Sequence, residues 1–303
     1  MGRSAPCPCT TGGNIISNQR RKTKMPLKIK QIAVNSRAAR TLRALVRTFG
    51  IDVVGYSPKV PQHELLAAFN SLTSLRDYAN SAASSEDLRF IEFCSANWRR
   101  SRSQLFQDLF VQYELGEKTG GYFVEFGAAD GVHLSNTYSL EKEYKWNGVL
   151  SEPALCWHSS LRANRGCHLD FRCVWDKSHE SVNFTEVNAA ELSTVSTFKG
   201  DEGELHAATR RHSRAYNVNT VTLNDMLRDF RAPVEIDYMS IDTEGSELKI
   251  LTAFDFTLHA VKIITVEHNY TADREKIHDL MSKHGYCRKF EILSHWDDWY
   301  VRS

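Results

Sequence analysis

Apolar positions change their spacing along this chain. Between residues 31 and 49 they recur every three or four residues, as Ala38, Ala39, Leu42, Leu45, Val46 and Phe49, while Arg37, Arg40, Arg43 and Arg47 take the other side. That period predicts a basic amphipathic helix. Gly50 is placed to end it, because a residue without a Cβ enters the left-handed C-terminal position at little cost. Residues 61–110 keep a helical rhythm, with a Ser/Ala-rich break at 80–87. From 120 onward, short β-rich runs alternate with helical ones, the pattern of a parallel sheet flanked by helices. Strands are predicted over 121–127, 147–152, 168–174, 236–242, 261–267, 286–292 and 297–302, with an extra edge strand at 181–187. Helices are predicted near 135–145, 154–164, 222–230, 246–254 and 272–284. Thr222 and Asp225 stand at capping-box spacing, and Gly285 closes the 272–284 helix. Residues 188–216 and the helical lead-in are left to build the substrate pocket.

Composition divides the chain further. Residues 1–24 are rich in Gly, Ser, Thr, Asn and Pro, end in a basic cluster, and predict a disordered basic leader. Residues 25–101 are expected to form a helical extension carrying the basic helix, and 102–303 the α/β domain; Met25 offers a second start. Eleven of the 38 Lys and Arg fall in residues 1–51 and none of the 37 Asp and Glu do, so the body of the protein is acidic. An acidic body argues against a surface that tracks nucleic-acid phosphates. Seven cysteines, an odd number without paired spacing, predict neither a disulfide framework nor a zinc site and suit a reducing compartment. No apolar run approaches a membrane span or a secretory signal. The expected location is the cytoplasm. The helix over 31–49 either touches a membrane surface or presents a solvated basic face on its own domain, with organellar targeting left open.

Chemistry concentrates where the predicted strands end, since open α/β sheets bind ligands beyond the carboxyl ends of their strands. Those ends carry Glu125, Gly127, Asp130 and Gly131, then Glu152, then Val174 and Asp176, then Asp242 and Glu244, and finally Glu267 and His268. The turn after the first strand reads "GAADGV", with Ala129 and Val132 where a dinucleotide-binding turn has glycines, and Asp130 between. Pyrophosphate, and with it an NAD-dependent oxidoreductase, is disfavoured. A cationic ligand with an adenosine body is favoured, and S-adenosylmethionine carries a sulfonium and an ammonium that acids attract.

The stretches "FVEFGAADGVHLSNTYSLEKEYKWNGVLSEP", "VNTVTLNDML", "IDYMSIDTEGSELKIL" and "IITVEHN" resemble, in that order, the FkbM family of S-adenosylmethionine-dependent methyltransferases. The resemblance covers about residues 102–302. It implies a class I methyltransferase (Rossmann-like) fold, a seven-stranded, mostly parallel sheet whose final hairpin is antiparallel; "DDWYVRS" suits the last strand. It also implies O-methylation, often of a sugar or polyketide hydroxyl. Residues 42–54 are similar to the short basic helix that precedes the domain in many bacterial members.

On this reading Glu125, Gly127, Ala128, Asp130 and Gly131 form the cofactor loop, and Glu152 accepts from both ribose hydroxyls. Val174 and Asp176 flank adenine. Ser135 and Asn136 either touch the ligand or cap the next helix. Methyl transfer to a neutral hydroxyl calls for a group that takes its proton. Asp242, adjoining both cofactor and acceptor, is base or hydrogen-bond anchor; Glu244, Glu267 and His268 are the other catalytic candidates. Glu247, in a helix first turn, reads as dipole stabilisation. Asp242, Glu244 and Glu267 also suit magnesium, but no metal is assigned. The expected partner is a small-molecule or glycan acceptor. The alternative function is a binding or trafficking protein that keeps the fold without catalysis.

Overall fold

The computed structural model describes residues 66, 67, 69–74, 85–187, 194, 195 and 213–303. The chain divides into two units, Met1–Thr73 and Ser74–Ser303. In the first, the described residues 66, 67 and 69–73 are helical. The leader over 1–24 and the basic helix over 31–49, with its membrane and targeting readings, lie outside the described residues, as does most of 188–216. No helix among the described residues is long and apolar enough to cross a membrane.

The second unit opens with α1 (Glu86–Asn97), whose N-terminus is capped by Ser85 Oγ accepting from the Leu88 amide at 3.2 Å. Although α1 precedes residue 102, it is part of the domain core. Its Phe90 stacks on Phe290 and meets Phe110 and Trp299 edge-on. Helix α2 (Gln107–Glu114) follows, then β1 (Tyr122–Phe126), α3 (Tyr138–Lys142), β2 (Asn147–Ser151), α4 (His158–Asn164) and β3 (His168–Asp170). After four further strands, β4 to β7, come α5 (Leu223–Asp229), β8 (Glu235–Ile241), α6 (Glu247–Ala253), β9 (Ala260–Glu267), α7 (Asp273–Lys283), β10 (Tyr286–Lys289) and β11 (Asp297–Arg302).

The main sheet has seven strands in the order β10-β11-β9-β8-β1-β2-β3. All neighbours are parallel except β11, which runs antiparallel to both β9 and β10. This is the class I methyltransferase arrangement that the resemblance implies. Alternation assigns each side chain a face. Val124, Phe126, Val149, Ile241, Ile264 and Val266 join one core cluster with α5, α6 and α7; Phe123, Leu150, Tyr238 and Ile263 join the opposite one with α1–α4.

Three expectations are corrected. The single strand over 168–174 is two strands, because Asp170 accepts from the Arg172 backbone and clasps its guanidinium, turning the chain. Its second half, β4 (Cys173–Trp175), leaves the main sheet for a smaller one, ordered β4-β7-β5-β6 with β5 (Ser181–Val187), β6 (Thr194–Val195) and β7 (Ser213–Thr222). Residues 213–216, expected in a loop, therefore begin a ten-residue strand paired antiparallel to β5. The predicted strand over 286–292 stops at Lys289, where Phe290 takes a left-handed backbone (φ 51°) and enters the aromatic cluster around Phe90.

Candidate active site

A cleft of about 370 Å³ opens at the carboxyl ends of β1, β2, β8 and β9, with β4 and β5 of the small sheet contributing Cys173, Val174 and Phe184 to its wall. The main chain admits it through one close approach. Gly127 follows β1 with φ 83°, and an added Cβ would lie 1.8 Å from the Asp242 carbonyl oxygen. Any other residue there would displace the end of β8.

Of the residues expected at the site, Gly127, Ala128, Asn136, Glu152, Val174, Asp242, Glu244 and Glu267 line this one cleft. Glu152 stands just beyond β2. Its Oε2 accepts from the Ala129 amide and its Oε1 from the Ala154 amide, each at 2.8 Å. A carboxylate has about four acceptor sites, so capacity remains for ligand hydroxyls. Burial pushes its pKa up to about 7, against the opposing effect of the two amides. Asn136 is buried, donates through Nδ2 to Ser240 Oγ at 2.9 Å, and leaves its buried Oδ1 without a hydrogen-bond partner.

Five expected residues stand elsewhere. Glu125 shares the site's face of the sheet but is the next-to-last residue of β1, where other chain segments cover it. It accepts from Ser135 Oγ, the Asn136 amide at 2.7 Å and Thr137 Oγ1, and lies 3.7 Å from Arg165. Asp130 turns back on its own loop, its Oδ1 accepting from the Val132 and His133 amides at 2.8 Å. Gly131 (φ 75°) packs against Leu161 and Arg165. Asp176 pairs with Lys249 at 3.1 Å, because β4 has carried it into the small sheet. His268 follows Glu267 and so faces the other side of the sheet. There it is buried 3.7 Å from Asp298, its Nδ1 accepts from the Tyr270 amide at 2.9 Å, and burial pushes its pKa down.

Asp242 and Glu267 bring their carboxyl groups together from the ends of neighbouring parallel strands, an oxygen of each lying within 4.8 Å of the other. Burial raises the pKa of both. For Asp242 the charge of Asp297 adds to the rise, and for Glu267 the charges of Asp242 and Glu244 do. One oxygen from each of Asp242, Glu244 and Glu267 lies within 4.8 Å of the others. An acidic trio of this kind can hold a proton or a hard cation, and a carboxyl–carboxylate hydrogen bond is the form that a shared proton takes. Glu247 instead accepts from the Thr243 and Gly245 amides and fastens the turn that carries Glu244.

Several lining residues escaped the sequence reading: Gln104, Gln107, His133, Leu134, Phe184, Asn269 and Trp296. Gln107 had a signal, a polar residue within the apolar run of "SQLFQDLF". Its Nε2 donates to Asp297 at 2.7 Å, opposing the burial that pushes Asp297 up to about 6. Trp296 had none, since it lies in a turn without periodicity. Among the described residues, no Lys or Arg lines the cleft.

This set fits a nucleoside-bearing cation. The Gly127 approach leaves backbone room, Glu152 keeps acceptor capacity, Asn136 Oδ1 lacks a partner, and the lining charge is negative. The model of the methyltransferase FkbM domain matches residues 125–288, more than half of the chain. No curated protein matches it. Among solved structures, the chain is similar to precorrin-6y C5,15-methyltransferase from Geobacter metallireducens GS-15, at 12% identity, over 60% of this chain and 71% of that one, with a TM-score of 0.33. It is similar to ribosomal protein L11 methylase from Lactobacillus delbrueckii subsp. bulgaricus, at 10% identity, over 66% and 79%, with a TM-score of 0.34. It is also similar to the O-methyltransferase from Bacillus cereus in complex with SAH, at 12% identity, over 75% and 95%, with a TM-score of 0.34. The chain belongs to the FkbM family of S-adenosylmethionine-dependent methyltransferases.

Proposed function

We propose that the protein methylates a hydroxyl oxygen, on a sugar, a glycolipid or a related small molecule. The observation that carries this reading is the Asp242–Glu267 carboxyl pair in the cleft, an oxygen of each within 4.8 Å of the other. An ordinary carboxylate is a weak base near neutral pH; burial and mutual repulsion make this pair a stronger one, suited to accept a hydroxyl proton.

S-adenosylmethionine, when bound, supplies a methyl group on a sulfonium and leaves as neutral S-adenosylhomocysteine, the sulfur keeping the electron pair of the broken carbon–sulfur bond. Glu152 would hold the ribose hydroxyls, Asn136 Oδ1 would accept from a cofactor donor, and Val174 with Phe184 would wall the adenine end. Asp242 and Glu267 hold one proton between them and take the acceptor's proton as its oxygen bonds to the methyl carbon. Gln107 acts behind them, keeping Asp297 hydrogen-bonded.

Mass spectrometry of the purified protein for a co-bound adenosyl ligand, then transfer of labelled methyl into fractionated cell extracts, tests the reading. Label in an alkali-stable methyl ether supports it. Label on nitrogen or carbon, or cofactor binding with no transfer to any fraction, overturns it; the last result favours the non-catalytic alternative.

A further inference from the structure

The cleft follows the strand order β11-β9-β8-β1-β2 from one end to the other. Glu152, just beyond β2, takes the ribose at one end, and the Asp242–Glu267 pair stands at the carboxyl ends of β8 and β9. An acceptor whose hydroxyl meets that pair therefore lays the rest of its body toward β9 and β11. There the cleft is lined by Asn269, two residues beyond Glu267, and by Trp296, one residue before the Asp297 that pairs with Glu267. The two turns are tied to each other, since the Trp296 carbonyl accepts from the His268 amide at 2.8 Å and from the Asn269 amide at 3.1 Å.

Asn269 (φ 44°) and Tyr270 (φ 55°) are consecutive residues in the left-handed region, a backbone that side chains seldom adopt and that persists only where the surroundings enforce it. The enforcement comes from the far side of the sheet. His268 Nδ1 accepts from the Tyr270 amide at 2.9 Å and so closes a ring around Asn269. A neutral imidazole that accepts at Nδ1 carries its proton on Nε2, and Nε2 stands 3.7 Å from Asp298. Asp298 is held in turn by Arg274 at 2.8 Å and Arg288 at 3.3 Å, so the imidazole, 4% exposed, has one orientation. A buried side chain on one face thereby sets the backbone of an exposed residue on the other. We propose that the Asn269 carboxamide binds the acceptor, donating to and accepting from the groups beside the reacting hydroxyl, and that His268 is the positioning residue that holds it there. This rests on the hydroxyl-methylation reading above.

The test uses the full chain, labelled S-adenosylmethionine and the extract fraction in which the parent protein forms most alkali-stable methyl ether. The fraction is supplied as a dilution series, so that its half-saturating amount stands for the acceptor KM. Asn269→Ala, at an exposed position, should raise that amount by about tenfold through lost hydrogen bonds, with the plateau rate and the S-adenosylmethionine affinity by calorimetry unchanged. His268→Gln, whose amide lies one bond too far out to replace Nδ1, should do the same. His268→Asn should stay close to the parent, because an asparagine oxygen accepts from the amide two residues on in the same way. In the Asn269→Ala background His268→Gln should have no further effect on half-saturation, since the two residues act through one contact. Half-saturation unmoved by N269A, an H268Q effect that falls on cofactor affinity or plateau rate instead, H268N no better than H268Q, or additive effects in the double variant overturn the inference and leave hydroxyl methylation standing. Label in no methyl ether overturns the hydroxyl reading, and this inference with it.

Discussion

The carbonyl oxygen of Asp242 occupies the space that a side chain at residue 127 would need, 1.8 Å from an ideal Cβ, so Gly127 and the end of β8 are sterically locked together. Gly127→Ala should therefore damage fold and site at once. The left-handed backbone alone costs a non-glycine residue about 1–2 kcal/mol, and the collision with a main-chain oxygen adds to it. Thermal melts should show a fall of several degrees or more, and calorimetry a loss of cofactor affinity. An unchanged melt with unchanged binding would mean that the two strand ends are further apart than they stand here.

Glu152→Ala should weaken cofactor binding on the order of a hundredfold, because hydrogen bonds to a charged acceptor contribute about 1.5–3 kcal/mol each. Calorimetry reads this directly. Affinity within a few-fold of the parent would remove Glu152 from the ribose position.

Asp242 should make the ligand-free protein less stable as pH rises. Its folded pKa lies above the unfolded 3.8, so over the window between the two the folded state binds more protons and stability falls with increasing pH. Asp242→Asn removes this group. The melting temperature of the variant relative to the parent should therefore improve between about pH 4 and about pH 7 and level off above, while methyl transfer is lost. A constant difference across that range would deny Asp242 its raised pKa.

Arg165→Ala would leave Glu125, 3% exposed, beside no cation. Removing one member of a buried ion pair costs about 3–5 kcal/mol, so denaturant midpoints should drop sharply. The double variant with Glu125→Gln should recover much of the loss, and a double variant no better than the single one would refute the pairing.

His268→Gln should lower the melting temperature but leave the pH profile of kcat unaltered, because the imidazole lies against Asp298 on the far side of the sheet. A profile that loses a limb in this variant would return His268 to catalysis.

The amino-acid pattern by itself determined the order of strands and helices, the glycine turn after β1 and the family. It also determined which acids end the strands, since strand ends are marked by periodicity and turn residues that neighbours in sequence supply. Missed elements had different reasons. Strand β7 carries an alternation of its own, Tyr216, Val218 and Thr220 against Asn217 and Asn219, whereas the break after Asp170 depends on how that carboxylate holds the Arg172 guanidinium. Only the tertiary structure decided which acids meet a ligand. Glu125 is withdrawn by Arg165, forty residues on, Asp176 by Lys249, and His268 by the alternation that puts Glu267 in the cleft. Whether a charge faces a cavity or a counter-ion depends on what packs over it, and those covering residues come from segments remote in sequence.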